Sequence, residues 1–364
     1  MAKIFLIVGF FLFSGNAISQ NLAAFHDYRK HFMIFDAGKI KDVEYLPVQS
    51  FQIGGTCIPY VSSSGQFNVY YGGQVQTLSD RFVSKYLATR YLLIYQLYDQ
   101  LYVFDNGKTK LLSSNVKNYA VGDSLVAFYN ENTHASQVYY KGEILDLESS
   151  LVGSPIMAFR AGDNVFAYFN DNTKYFKIFY NGELRNILKS NEQVVYEAGR
   201  NIIAYIDNSK NSFHVFYKGN ISDLEDYKPK SFQVGDDILA YVNNLGEFNV
   251  FVDGEKKQLS SFEPELYMVR DSLVVFSEQG YFKVFYKGEV YEMENYIPKD
   301  FQMQENTIAF IDLNGWLKAF TNGKYIKVTN DLVSSFVVAY NLIYVNTTVN
   351  TVKIFYKGKL NDTN

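Results

Sequence analysis

A glycine returns along this chain at an almost fixed interval: Gly38, Gly73, Gly107, Gly142, Gly182, Gly219, Gly254, Gly288, Gly323 and Gly358. Successive spacings are 35, 34, 35, 40, 37, 35, 34, 35 and 35 residues. Each copy follows a short aromatic-aliphatic run, such as FKIFY before Asn181, FHVFY before Lys218 and FKVFY before Lys287. Ten matches at one period define a repeat array, and a period in this range means that each repeat is one supersecondary unit.

The unit is clearest between Ser231 and Ser260, SFQVGDDILAYVNNLGEFNVFVDGEKKQLS. It reads as four strands, here a to d: Ser231–Val234, Ile238–Val242, Glu247–Val252 and Glu255–Leu259. Asp253-Gly254 between two apolar runs predicts a two-residue hairpin whose central residues both take φ > 0. In strand b, Ile238, Ala240 and Val242 point one way and Leu239 and Tyr241 the other; in strand c, Phe248 and Val250 oppose Phe251. A sheet apolar on both faces needs a neighbour on each side. Strand b recurs in every unit, beginning with Leu22–Phe25, whereas strand a has nine copies. The chain is therefore expected to hold ten units, the first without its strand a, in one domain from about Gln20 to Asn364.

Uninterrupted four-stranded antiparallel units of this kind resemble the blades of a β-propeller. The resemblance covers the whole chain after its first twenty residues. It implies an all-β ring of about ten short blades, with an open solenoid or meander of hairpins as the alternative. The Trp-Asp ending of WD-repeat blades, the double glycine of kelch blades and the sialidase Asp-box are all missing. In a propeller the a–b and c–d turns share one face and the b–c loops and d–a linkers the other. The second face carries the variable Asn/Asp/Ser-rich loops and five of the six prolines, and variable loops on a rigid scaffold are where binding resides.

The chain opens with a targeting pattern: Lys3, the apolar run Ile4–Phe13 and the small residues Ala17-Ile18-Ser19. This predicts cleavage after Ser19 or Gln20 and a secreted, periplasmic or cell-surface product. The apolar run is too short to span a bilayer. Cys57 is the only cysteine, so no intramolecular disulfide forms, and its apolar strand predicts a buried thiol. A net charge of −4 without a basic stripe argues against nucleic acid as a partner.

Several motifs are candidates for chemistry. Gly122-Asp123-Ser124-Leu125 matches the block of a lipase and esterase family, yet it occupies the a–b turn filled elsewhere by Gly162-Asp163-Asn164 and Gly235-Asp236-Asp237. Local backbone hydrogen bonding explains it without catalysis. His26 and His31 flank one hairpin but lack the carboxylate cluster of a metal site, which leaves them as solvent-exposed loop residues, as with His134 and His214. Asn170-Asp171-Asn172 and Asp207-Asn208-Ser209 offer oxygens of the type calcium takes, although hairpin turns need no ion and no cofactor is expected. Strand d carries repeated acids: Asp42 and Glu44, Asp146 and Glu148, Asp223 and Glu225, Glu292 and Glu294. A glycosidase needs such a pair once, not four times, so edge protection is the expected role. Tyr45, Tyr227, Phe262 and Tyr296 lie near the d–a crossovers, where aromatics pack between blades or meet a partner.

Together these features favour a non-enzymatic, monomeric exported propeller that binds a protein or glycan through its b–c/d–a face. The alternative is a carbohydrate-active hydrolase or lyase with its site at the channel mouth.

Overall fold

Residues 21–149 and 159–363 are described by a computed structural model. The leader pattern and the linker containing Pro155 lie outside them. Among the described residues, thirty-nine strands form ten antiparallel sheets, each paired in simple chain order. Nine sheets have four strands; the first has three among the described residues, Leu22–His26, Phe32–Asp36 and Lys39–Glu44.

Blade 7 shows why the repeat folds this way. Its strands are Ser231–Val234, Ile238–Val242, Phe248–Val252 and Glu255–Ser260. Leu239, Tyr241 and Phe251 pack on Ile202, Ala204 and Phe213 of blade 6. Ile238, Ala240, Val242, Phe248 and Val250 pack on Val274, Phe276 and Phe285 of blade 8. The alternation of strand b thus feeds two separate inter-blade cores, and the whole strand is buried.

The ring is closed. Ala23, Phe25 and Phe35 of blade 1 share one core with Leu342, Ile354 and Tyr356 of blade 10. Phe35 meets Tyr356 edge-on at 5.3 Å. The same contact recurs between neighbours around the perimeter: Tyr71 with Phe104, Tyr140 with Phe179, Tyr180 with Phe216, Tyr217 with Phe251 and Tyr286 with Phe320, at 5.4–5.7 Å. The joint between the chain's two ends is therefore chemically the same as an internal one, and an open solenoid is excluded.

Two further devices join blades. The unpaired inner edge of strand a is met by glutamine: Gln233 Oε1 accepts from the Val269 N–H at 2.9 Å and its Nε2 donates to the Tyr267 carbonyl at 3.3 Å. Gln52 and Gln302 do the same to Ala88 with Tyr86 and to Val338 with Phe336. The amide takes the place of a neighbouring strand's peptide group at an edge that lacks one.

The acids of strand d correct the expectation of mere edge protection. Glu44, Glu148 and Glu225 accept the hydroxyls of Tyr60, Tyr168 and Tyr241 on the following blade at 3.0, 2.9 and 2.8 Å. Glu294 accepts from Tyr325 and from Lys318 in the same way. These carboxylates give the phenols, buried in Tyr60, Tyr168 and Tyr241 and exposed in Tyr325, a partner, and charged hydrogen bonds are the stronger kind. The first acid of three pairs serves its own blade: Asp42 faces His31 at 3.1 Å, Asp146 accepts from Gln137 and Asp223 faces His214.

All ten c–d turns hold both central residues at positive φ, including Asp253 at 52° and Gly254 at 87°. Four of them carry lysine in the first place, and Lys141, Lys218, Lys287 and Lys357 each lie over the preceding tyrosine ring at 4.7–5.2 Å. A Cβ at Gly254 would touch nothing within 4 Å, so substitution there strains only the backbone. Gly254→Val is expected to cost about 1–3 kcal/mol. Denaturant melts check this, and coincident midpoints for the two proteins would contradict it.

Candidate functional site

Nine a–b turns converge on the axis. Their central residues are Gly55, Arg90, Asp123, Asp163, Arg200, Asp236, Asp271, Glu305 and Tyr340. Successive turns touch through their backbones: Gly55 N–H bonds the Thr89 carbonyl, Ser124 N–H the Asp163 carbonyl, Asn164 N–H the Arg200 carbonyl and Asp236 N–H the Asp271 carbonyl. Glycine precedes the central residue where this approach is closest. A Cβ on Gly162 would lie 1.6 Å from the Gly199 carbonyl oxygen, so no side chain fits, although φ there is ordinary.

Arg90 occupies the middle of this ring, 3% exposed. Its Nε lies 2.8 Å from Glu305 and 3.5 Å from Asp123, Nη1 3.3 Å from Asp163, and Nη2 3.1 Å from Asp236 and 3.4 Å from Asp271. Its own N–H is capped by Asp123 at 3.0 Å. Arg200 adds bonds of 2.6 Å to both Asp163 and Asp236. One side chain from blade 3 thus binds carboxylates from blades 4, 5, 7, 8 and 9. Outside this centre runs a second circuit in which Ser124 donates to Asn164, Asn164 to Asn201 and Asn201 to Asp237, each at 2.9 Å.

Five carboxylates around two guanidiniums do not all ionise together. Burial, then repulsion from Asp123 and Asp236, pushes Asp163 up to about 9. Burial pushes Glu305 up to about 7 against the pull of Arg90. Asp236 and Asp271 are raised by burial as well. Burial opposes the charge of Arg90, but the surrounding carboxylates outweigh it and hold the guanidinium protonated. The cluster titrates as a unit and retains protons at neutral pH.

A cavity of about 550 Å³ lies against this centre, lined by Phe51, Ile53, Arg90, Asp123, Arg270, Asp271, Gln304, Val337 and Tyr340 among others. The convergence was not foreseen, because each turn alone reads as a local Asp/Asn motif. The column of central turn residues was the available signal.

The foreseen candidates are dispersed. Ser124 donates its hydroxyl to the Asp163 carbonyl and Asn164 and serves the ring. His26 and His31 do not face each other: His26 Nε2 accepts from the Val48 N–H between the rings of Phe32 and Phe51, and His31 bonds Asp42. Burial lowers the His26 pKa, consistent with an acceptor. His26, His31 and His214 are part-buried rather than solvent-exposed, while His134 is exposed. Asn170 Oδ1 and Asp207 Oδ1 accept from the N–H groups of their own hairpins. Cys57 is buried, and burial pushes its thiol up to about 12. Tyr45, Tyr227 and Phe262 stand exposed on the b–c/d–a face and do not pack between blades, whereas Tyr296 is half-buried with its hydroxyl enclosed.

With this geometry established, residues 16–360 match the profile of the 10-bladed beta propeller domain. The chain belongs to that ten-bladed β-propeller family. No curated protein matches the chain. Among solved structures, the propeller is similar to the computationally designed Ika8 protein (17% identity, 75% of this chain and 96% of that one, TM-score 0.36). It is also similar to Hsv2 of Kluyveromyces lactis (15%, 63% and 92%, 0.33) and to PorZ, a surface component of the type-IX secretion system of Porphyromonas gingivalis (8%, 96% and 59%, 0.31). At these TM-scores the likenesses carry no functional argument. Among the described residues of the propeller, no helix is long and apolar enough to cross a membrane.

Proposed function

We propose that this propeller is an exported, non-enzymatic binding protein that docks a protein partner on its b–c/d–a face. The observation that carries this reading is a set of apolar tips. Tyr28, Tyr45, Phe82, Leu245, Phe262 and Leu313 are each more than two-thirds exposed. All lie in b–c loops or d–a linkers of blades 1–3 and 7–9, which adjoin through blade 10. The b–c loops of blades 5 and 6, Asp171–Lys174 and Asn208–Asn211, carry polar residues instead. Exposed apolar clusters rimmed by polar surface mark protein-interaction sites. Leucine tips favour a protein over a glycan, because sugars are held by flat aromatic faces with polar groups beside them.

The carboxylates at the axis do not favour a hydrolase. They are spent on Arg90 and Arg200 at 2.6–3.5 Å. Export rests on Lys3, Ile4–Phe13 and Ala17-Ile18-Ser19. Intact mass of the mature protein should show a start at Gln20 or Asn21.

The docking test compares two variants as bait in extracts of the cell surface. Leu245→Ser/Phe262→Ser/Leu313→Ser should keep the wild-type melting point and lose a captured protein at least tenfold, since few interface residues carry most of the affinity. A matched triple change in the blade 5–6 loops, Asn172→Ser/Asn208→Ser/Lys210→Ser, should retain it. Equal capture by both variants, or no saturable partner, would overturn the reading.

A further inference from the structure

The rim of c–d turns carries a charge pattern that contacts within the chain leave almost wholly unused. The residue that opens strand d, directly after the turn glycine, is Lys324, Lys359, Lys39, Gln74 and Lys108 on blades 9, 10, 1, 2 and 3. On blades 4 to 8 it is Glu143, Glu183, Asn220, Glu255 and Glu289. All ten side chains are exposed. Glu183 pairs with Arg185 at 3.0 Å, and the other charged members have no ion pair among the described residues. Asp36 and Asp105, at the same level in the lysine half, are committed to the hydroxyls of Tyr70 and Tyr139 at 2.6 and 2.7 Å. Successive turns adjoin: Lys41 Nζ donates to the Gly73 carbonyl at 3.1 Å, Lys110 Nζ to that of Gly142 at 2.8 Å and Arg185 to that of Gly219 at 3.3 Å. One half of the rim is therefore a basic arc and the other an acidic arc.

A rim with one arc of each sign fits a second copy of itself. Two copies related by a two-fold axis match residue i to j and j to i. Let the axis lie in the ring plane and pass between blades 3 and 4 and between blades 8 and 9. Blade 9 then faces blade 8 of the second copy, 10 faces 7, 1 faces 6, 2 faces 5 and 3 faces 4. Lys324 would meet Glu289, Lys359 would meet Glu255 and Lys108 would meet Glu143, each twice by symmetry. Lys39 would fall opposite Asn220, and Gln74 opposite Glu183. The residues before the turn glycines obey the same rule: Lys357 faces Asp253, while Lys141, Lys218 and Lys287 face Asn106, Ala37 and Asn322. No pair in either set brings like charges together, the juxtaposition that rejects a wrong partner.

We propose that the c–d face binds a second copy of this chain, face to face about that axis. The sequence read blade by blade suggested a monomer, because the two arcs exist only once the ring closes. Exposed ion pairs are individually weak and are screened by salt, so this dimer is salt-labile. Its two b–c/d–a faces point outward in opposite directions. The proposal therefore stands apart from the docking reading, and its test uses none of the docking variants.

The test is sedimentation velocity of the wild-type protein in about 0.05 M and about 1 M NaCl, the second of which screens charges beyond roughly 3 Å. A dimer is expected at low salt and a monomer at high salt. Lys324→Glu/Lys359→Glu and Glu255→Lys/Glu289→Lys should each keep the wild-type melting temperature, since these side chains have no partner within the chain to lose. Each should weaken self-association at least about tenfold by setting like charges opposite one another. An equimolar mixture of the two variants should form a one-to-one heterodimer, because every reversed pair is again complementary. The same mass for the wild type at both salt concentrations would overturn the proposal. So would reversal variants that dimerise as well as the wild type, or a mixture in which no heterodimer forms.

Discussion

Arg90→Met should destabilise the propeller by about 3–5 kcal/mol at pH 8, the range for removing one partner from a buried ion pair. The methionine fills much of the space but leaves Asp123, Asp163, Asp236, Asp271 and Glu305 with Arg200 as the only guanidinium bonded to any of them. The loss should depend on pH in a stated direction. Asp163, Asp236, Asp271 and Glu305 are raised in the folded protein, Glu305 to about 7 and Asp163 to about 9. A raised carboxyl binds its proton more tightly when folded, so its contribution is fully present below the unfolded value near 4 and is lost as pH rises through the folded value. The wild-type melting temperature should therefore fall between pH 7 and 9. The gap between Arg90→Met and wild type should narrow at pH 6, where more of the orphaned carboxyls are neutral. Thermal melts from pH 6 to 9.5 check both statements. A variant that tracks the wild type at every pH would show that the cluster contributes nothing to holding the ring.

Deleting Asn21–Glu44 should abolish cooperative folding altogether. Blade 1 buries Leu22, Phe25, Phe32, Ile34 and Phe35 almost completely, shared between the cores facing blade 2 and blade 10. Each such side chain is worth about 1.5–3 kcal/mol, against a net stability for an ordinary domain of about 5–15 kcal/mol. Removal also exposes two apolar blade faces at once, Ile58 and Tyr60 on one side and Leu342 and Ile354 on the other. The expected product is unfolded or aggregated. A monomer with a proportionally smaller unfolding transition is the behaviour of a linear array, where each repeat depends only on its neighbours. Denaturant melts with light scattering distinguish the outcomes.

The perimeter of this fold was legible because its rules are local and repeated. Two-residue periodicity in Ile238–Val242 announces two buried faces, and the residues assigned to each face are those that meet blades 8 and 6. Asp253-Gly254 announces the hairpin and both positive φ angles. The three strands that the first sheet has among the described residues were legible by alignment alone. The acids of strand d were seen but misread, because their partners are tyrosines about sixteen to thirty-one residues later, on the next blade. Arg90 was not seen at all. It resembles any turn residue until the ring brings it against Glu305, 215 positions away. No local rule reaches that far; only closure does.

Arg90 also fixes something the perimeter cannot. Every contact between neighbouring blades, whether edge-on rings, tyrosine hydroxyls or glutamine amides, is the same type of contact wherever it occurs. Such contacts record who stands beside whom and are silent on how many stand in the circle. The guanidinium is different, since its reach is set by bond lengths and its partners stand on several sides of it. An extra blade would push the carboxylates outward beyond that reach, and one fewer would crowd them into it. A single arginine therefore acts as a gauge of circumference: a chain assembled from near-interchangeable parts has its total checked at the one side chain where carboxylates of five blades meet.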